Sequence, residues 1–250
     1  MLLLDNPQGN YRFLTGIAPY SSGVVAMPGY EIVHVTFTKP LPYRHGFDRL
    51  AAYLAEIDRP RSALCAIELR SPKPFSFAGF QEFNQGYQAL LAEWALLVGD
   101  QNPIARTNIA PSVHPPTEPT LYAFSYTQPL TTEPFPTFIV AGAGELRGER
   151  LDAAEVVRPN DTSEAGMAAK AAQVMQHMQD RLAGLQVDWS AVTTVDIYTE
   201  QPLHSFLSTE ILNPMQAAVG QGVHWFYSRP PIIDLEFEMD MRGVRCELRV

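Results

Sequence analysis

Cysteine is scarce in this sequence: Cys65 and Cys246 are the two in 250 residues. Neither has Cys or His neighbours at metal-ligand spacing, so both read as free, partly buried thiols, with no disulfide and no zinc site expected. Basic residues are also few, 18 against 27 acids, for a net charge of -9. Nucleic-acid backbones demand concentrated Lys and Arg, so nucleic acid is excluded as a partner and any anionic substrate must be gripped locally. No apolar run approaches membrane-spanning length. The opening Met1-Leu2-Leu3-Leu4-Asp5-Asn6 lacks the basic end and apolar stretch of a signal peptide, which predicts a cytoplasmic chain. Gly142-Ala143-Gly144 lacks the spacing of a dinucleotide fingerprint and reads as a plain tight turn. His34, His45, His114 and His204 form no Ser-His-Asp or metal constellation.

What is present is a chain in two halves. Thr127 to Pro136 is too proline-rich for a helix or a central strand, and places a linker at 129–136 between units 1–128 and 137–250. In the first unit, Tyr30 to Thr38 predicts a strand, and Phe47, Leu50, Ala51, Leu54 and Ile57 recur at helical spacing. Leu64 to Leu69 predicts a strand, Phe77 to Leu97 a helix and Thr120 to Tyr126 a last strand. In the second, Phe138 to Ala141 is a short strand. Asp161 and Glu164 suggest a capping box for a helix burying Met167, Ala171, Val174, Met178, Leu182 and Leu185. Val192 to Thr199 follows as a strand, then a helix within Leu203 to Val219. The second half repeats the order of the first.

The last predicted strand carries the chemistry. Ser228-Arg229-Pro230-Pro231 leads into Ile233, Leu235, Phe237 and Met239 alternating with Asp234, Glu236, Glu238 and Asp240, the period of a strand with one acidic face. An arginine beside carboxylates can grip a carboxylate substrate while a glutamate handles a proton or a water, which singles out Arg229, Glu236 and Glu238. Asp234 and Asp240 read as solvated or ion-paired. Ala105-Arg106-Thr107 precedes the last strand of the first half much as Ser228-Arg229-Pro230 does in the second, which points to duplication. In His224-Trp225-Phe226-Tyr227 the Tyr227 ring could lie against a conjugated substrate, although aromatic runs on strands more often build core.

These residues resemble the RidA (YjgF) family of imine and enamine deaminases. Ile17-Ala18-Pro19-Tyr20-Ser21-Ser22 resembles the family's Gly-Pro-Tyr-Ser segment, and Phe80, Asn84 and Tyr87 its Phe, Asn and Tyr helix. Ile104-Ala105-Arg106-Thr107 is similar to its Pro-Ala-Arg-Ser/Thr motif. Val140-Ala141-Gly142-Ala143-Gly144 stands where the family has a Ser-Gly-Gln turn, and Arg229 with Leu235-Glu236-Phe237-Glu238 resembles its arginine and Glu-Ile-Glu strand. The resemblance implies an α+β fold of two tandem RidA/chorismate-mutase-like units, each a mixed β-sheet packed by two α-helices. It implies an arginine on the substrate carboxylate, a glutamate positioning water, and neither cofactor nor metal.

The halves depart from the family in opposite ways. Tyr122 stands where the first half should have its strand glutamate, and the second half lacks the Pro-Tyr-Ser segment. The expected site is therefore composite, with Tyr20, Asn84 and Arg106 facing Gly142, Ala143, Arg229, Glu236 and Glu238, and it requires Arg229 and Glu238 to share one cleft. The resemblance implies hydrolysis of an unsaturated amino acid to the oxo acid and ammonia, and two arginines suit a dicarboxylate like that of the family's 2-aminomuconate deaminases. The alternatives are a chorismatase-like enzyme, which also carries an Arg-Pro segment ahead of a Glu-x-Glu strand, and a non-catalytic ligand-binding member. A small carboxylate is the expected partner, with no membrane and no nucleic acid, and a homotrimer is the expected assembly.

Overall fold

A computed structural model describes residues 1–16, 19–130, 135–148 and 150–250. Ile17 and Ala18 of the Pro-Tyr-Ser segment, linker residues 131–134 and Glu149 lie outside the described residues. Three short strands open the chain, β1 (Leu3–Asn6), β2 (Tyr11–Leu14) and β3 (Gly23–Ala26). Then come β4 (Tyr30–Pro42), α1 (Tyr43–Glu56), β5 (Leu64–Arg70), α2 (Phe77–Glu93), β6 (Ala105–Pro111) and β7 (Thr120–Pro129). The second half supplies β8 (Phe138–Gly144), α3 (Glu164–Leu185), β9 (Thr194–Tyr198), β10 (His224–Phe226), β11 (Ser228–Arg229), β12 (Glu238–Gly243) and β13 (Cys246–Arg249).

The strands form two mixed sheets that exchange edges. One runs β11-β6-β5-β7-β4-β13 and the other β1-β2-β3-β8-β12-β9-β10. The first three strands of the chain thus extend the sheet of the second half, and two strands of the second half flank the sheet of the first. Helices α1 and α2 cover the outer face of one sheet, burying Phe47, Leu50, Leu54, Tyr87 and Leu91. Helix α3 covers the other with Met167, Ala171, Val174, Met178, Leu182 and Leu185, the stripe that its heptad-like spacing predicts. Between the sheets, Tyr11, Phe13, Ile32, Ala105, Ile139 and Ala141 form a shared apolar layer. The fold is α+β, and no helix among the described residues is long and apolar enough to cross a membrane.

Four local expectations change. Ser163, not a box led by Asp161, caps α3 by accepting from the Gly166 amide at 3.1 Å, while the Asp161 carboxylate accepts from the Ser163 amide and hydroxyl. The segment Leu203 to Val219 holds a π-helical turn (Leu207–Leu212) and a 3-10 helix (Gln216–Gln221) instead of an α-helix. Pro214 lies between them and lacks the amide that a continuing α-helix would use. Gly142 to Gly144 is not a turn but the end of β8. The acidic strand begins only at Glu238, because Pro230 and Pro231 carry no ladder amide and the chain from Pro230 to Phe237 is irregular. There the Glu145 carboxylate accepts from the amides of Glu236 at 2.7 Å and Phe237 at 3.1 Å, doing a neighbouring strand's work with a side chain.

Candidate active site at the junction of the two units

Arg106 lies on β6, in parallel register with Ile67 of β5, and is 2% exposed. Helix α2, started by Ser76 accepting from the Gly79 amide, presents Phe80, Asn84 and Tyr87 on one face at helical spacing, and that face meets the arginine. Arg106 Nη2 donates to Asn84 Oδ1 at 2.6 Å. The guanidinium carbon lies 4.7 Å from the ring centroids of both Tyr20 and Tyr87 and 5.4 Å from that of Phe80. Among the described residues, Arg106 Nη1, Asn84 Nδ2, Asn108 Nδ2 and the Tyr87 hydroxyl are buried here without a hydrogen-bond partner. Burial pulls the Arg106 pKa below its ordinary value, with the nearby tyrosines and Glu238 opposing, yet a guanidinium starts far enough above neutrality to stay charged. It forms no ion pair among the described residues, although buried charges are ordinarily paired.

Glu238 opens β12, set between Gly144 of β8 and Tyr198 of β9. It is 4% exposed, and burial first and then the neighbouring Glu145 push its carboxyl up to about 8, with Arg181, Arg106 and Arg70 pulling the other way. The group therefore holds a proton at neutral pH. Gly142 makes room for it: a Cβ there would collide with Glu238 Oε1 and stand 3.2 Å from Thr107 Cγ2. Arg106 and Glu238 line one cleft of about 360 Å³ with Tyr20, Phe80, Asn108 and Gly142. Leu146, Ile232 and Leu235, packed with Phe80, close its apolar side.

Behind the cleft stands a fully buried ion pair. Lys170 Nζ of α3 lies 3.0 Å from Glu145 Oε1, both side chains showing no exposure, and also donates to the Val157 carbonyl. Burial nevertheless raises the Glu145 pKa, with Lys170 as the largest opposing influence. Since the same carboxylate takes the Glu236 and Phe237 amides, this pair fixes the segment that delivers Glu238. Asp240, expected to be solvated or ion-paired, is instead buried, accepting from the Thr107 hydroxyl at 2.5 Å and the Tyr198 hydroxyl at 3.1 Å. Burial holds its carboxyl well above the usual range. Asp234 is exposed, as expected.

The structure brings Tyr20, Asn84, Arg106, Gly142 and Glu238 together, with Ala143 lining the adjoining space. It does not bring Arg229 and Glu238 into one cleft. Arg229 Nη2 is 3.2 Å from Glu236 Oε1 and donates to the Ile233 carbonyl at 2.9 Å, and Glu200 lies 3.8 Å from its Nε. With the irregular segment from Pro230 to Phe237 in between, the arginine is anchored to Glu236 and not to the strand. Tyr227 is 57% exposed and lines no part of the cleft. Asn108, Glu145, Lys170 and Arg181 were not expected. Asn108 alone had a signal, two residues beyond Arg106 on one strand face.

Comparison with known proteins adds the family. The family model described as "2-aminomuconate deaminase CnbZ" matches residues 3–248. A curated 2-amino-5-chloromuconate deaminase of Comamonas testosteroni is 37% identical over 237 residues, covering 94% of each chain. Among solved structures, a chorismatase aligns over 89% of this chain and 77% of its own at 12% identity, with a TM-score of 0.47. The YjgF gene product of E. coli aligns over 44% of this chain and 80% of its own at 16% identity, with a TM-score of 0.27. With the family model spanning nearly every residue and a relative this similar from end to end, the chain belongs to the CnbZ 2-aminomuconate deaminase family.

Proposed function

We propose that the protein is a deaminase that hydrolyses a muconate-type enamine or imine carboxylate to its oxo acid and ammonia at the cleft between Arg106 and Glu238. The observation that carries this reading is the uncompensated cation: a buried guanidinium with an unused Nη1, beside the unused amide of Asn108, facing a carboxyl that keeps its proton. A substrate carboxylate supplies the missing anion, and a planar fork binds it through two parallel bonds. The family's name and that of the 37% identical relative support the muconate skeleton.

In this reading Glu238 gives its proton to the enamine carbon, leaving an iminium, and then as carboxylate takes a proton from the water that adds to the C=N carbon. The carbinolamine collapses as that proton passes to nitrogen and the hydroxyl proton returns to the Glu238 carboxylate, so that the C=O bond forms as the C–N bond breaks and ammonia departs. One water is consumed and the carboxyl regains its starting state. Tyr20 and Phe80 flank the conjugated chain, and Gly142 leaves the carboxyl room against the β8 backbone. Arg229 and Glu236, first expected to be catalytic, serve in this reading to tether the segment that leads into β12. The test is ammonia release from enzymatically generated 2-aminomuconate by the wild type and by R106Q, E238Q and R229Q. Loss in the first two with retention in the third supports this site. Retained turnover in R106Q or E238Q removes it.

A further inference from the structure

The cleft has a second lobe. Beside the space between Arg106 and Glu238 lies another of about 550 Å³, and the two share Tyr20, Gly142, Gly144, Leu146 and Leu151 as walls. Its far wall is α3, which contributes His177 and Arg181, one helical turn apart on the same face. Arg181 Nη1 donates to the Ala141 carbonyl at 2.7 Å and contacts the Gly142 carbonyl at 3.3 Å, which fixes the guanidinium beside the strand that carries the glycines. His177 Nε2 lies 2.6 Å from the Leu146 carbonyl, so that nitrogen carries hydrogen. Both lobes are lined by Gly142 and Gly144, whose faces the Glu238 and Leu235 side chains approach closely. Arg106 thus lines one of two adjoining lobes and Arg181 the other, and the Glu238 carboxyl is near enough to both to be acidified by each.

We infer that Arg181 is the receptor for the distal carboxylate of a six-carbon dicarboxylate whose proximal carboxylate is held by Arg106, so that the chain selects dicarboxylates over monocarboxylates of equal length. This rests on the deaminase reading and deepens it, since one arginine suffices for the chemistry and a second adds only selectivity. His177 supports the distal group from the same helical face. The geometry also accounts for the order of the parts across the two lobes: the reacting carbon sits near Arg106 and Glu238, and the unreactive end lies under α3.

The probes are two inert six-carbon acids, adipate and hexanoate, with binding measured by calorimetry on the full chain. Wild type should prefer adipate. In R181Q the ratio of adipate to hexanoate affinity should fall about tenfold to 100-fold, as expected for losing a charge-assisted contact made by one ligand alone. R106Q should weaken both acids together. Equal weakening of both acids by R181Q would show that Arg181 only staples α3 to β8, and an unchanged ratio would equally overturn the inference. If R181Q does not fold, R181K carries the test, because an unforked cation should still lower the ratio. Undiminished binding of both acids to R106Q would instead fail the deaminase site itself, a separate outcome.

Discussion

Arg106 is buried against the rings of Tyr20, Phe80, Phe83 and Tyr87, spends one nitrogen on Asn84 and meets no carboxylate partner among the described residues, whereas Arg229 is 29% exposed and lies between Glu236 and a backbone carbonyl. The two occupy matching places in the sequence and follow opposite logics. A partly exposed ion pair of this kind contributes about 0.2 to 1 kcal/mol, and of its guanidinium only Nε lies buried without a hydrogen-bond partner among the described residues. A desolvated cation without a counter-ion costs several kcal/mol, though aromatic faces return about 2 kcal/mol or more when dry. A fold retains such a cost where a ligand completes the arrangement. The difference teaches which arginine to follow: the one lacking an acid, not the one beside most of them.

The largest test of that comparison is R106Q. Removing two charge-assisted bonds to a substrate carboxylate should lower kcat/KM about 10³-fold in an ammonia-release assay. The melting temperature should hold or rise, because the variant also removes an uncompensated buried charge. A variant that melted early while keeping its turnover would reverse the comparison, making Arg106 a structural residue.

E238Q should lower turnover about 10²- to 10³-fold, as loss of a positioned acid-base group does, and it carries a second signature in stability. The folded carboxyl titrates at about 8 against an unfolded value of 4.5, so between those values the folded state binds the proton that the unfolded state has released. Stability from this group is therefore full below 4.5 and is lost as the pH rises through 8, on the order of 5 kcal/mol in all. Urea unfolding at pH 5 and pH 9 should show a larger loss in the wild type than in E238Q, the difference being the share of Glu238, since the buried carboxyls of Asp240 and Glu145 remain in both. The activity profile should carry a limb near 8 in the wild type that the variant lacks.

G142A probes the same carboxyl through the backbone. The φ angle at Gly142 is not positive, so alanine is conformationally acceptable, and what it lacks is space: its Cβ would occupy the place of Glu238 Oε1. Displacing the carboxyl should lower kcat by about tenfold to 100-fold with KM little changed, since Arg106 still grips the substrate. A drop in affinity alone would place Gly142 in binding and not in the positioning of the acid.

These contrasts mark how far the sequence could be read. Period-2 and 3.6 patterns placed β4, β5, α1, α2, β8 and α3 because each buries apolar side chains at a regular spacing, whereas the motif around Arg106 and the Phe80, Asn84, Tyr87 face was legible only through the resemblance to the RidA family. The alternation from Ile233 to Asp240 misled. It satisfies the strand pattern, yet two prolines and the long-range reach of Glu145 across 91 and 92 residues turn its first half into an irregular connector. Local pattern carries no trace of a partner that distant. The exchange of β1–β3, β11 and β13 between sheets was hidden likewise, because strand identity is local and edge pairing is not. Asp240 looked like its solvated neighbour Asp234, and only the Thr107 and Tyr198 hydroxyls distinguish it.

The smallest expected effect belongs to R229Q. Its contacts to Glu236 and Ile233 are half-exposed and are backed by an independent anchor, the Glu145 carboxylate on the Glu236 and Phe237 amides, itself held by Lys170. Losing the arginine should therefore cost stability at most about 1 kcal/mol and kcat/KM less than about threefold. The variant R229Q/E236Q should cost no more than R229Q alone, because removing both partners leaves no charge stranded. Should the double variant instead lose turnover on the scale of R106Q, the segment from Pro230 to Phe237 would be held chiefly by its outer tether. The two arginines would then differ in distance from the chemistry but not in importance to it.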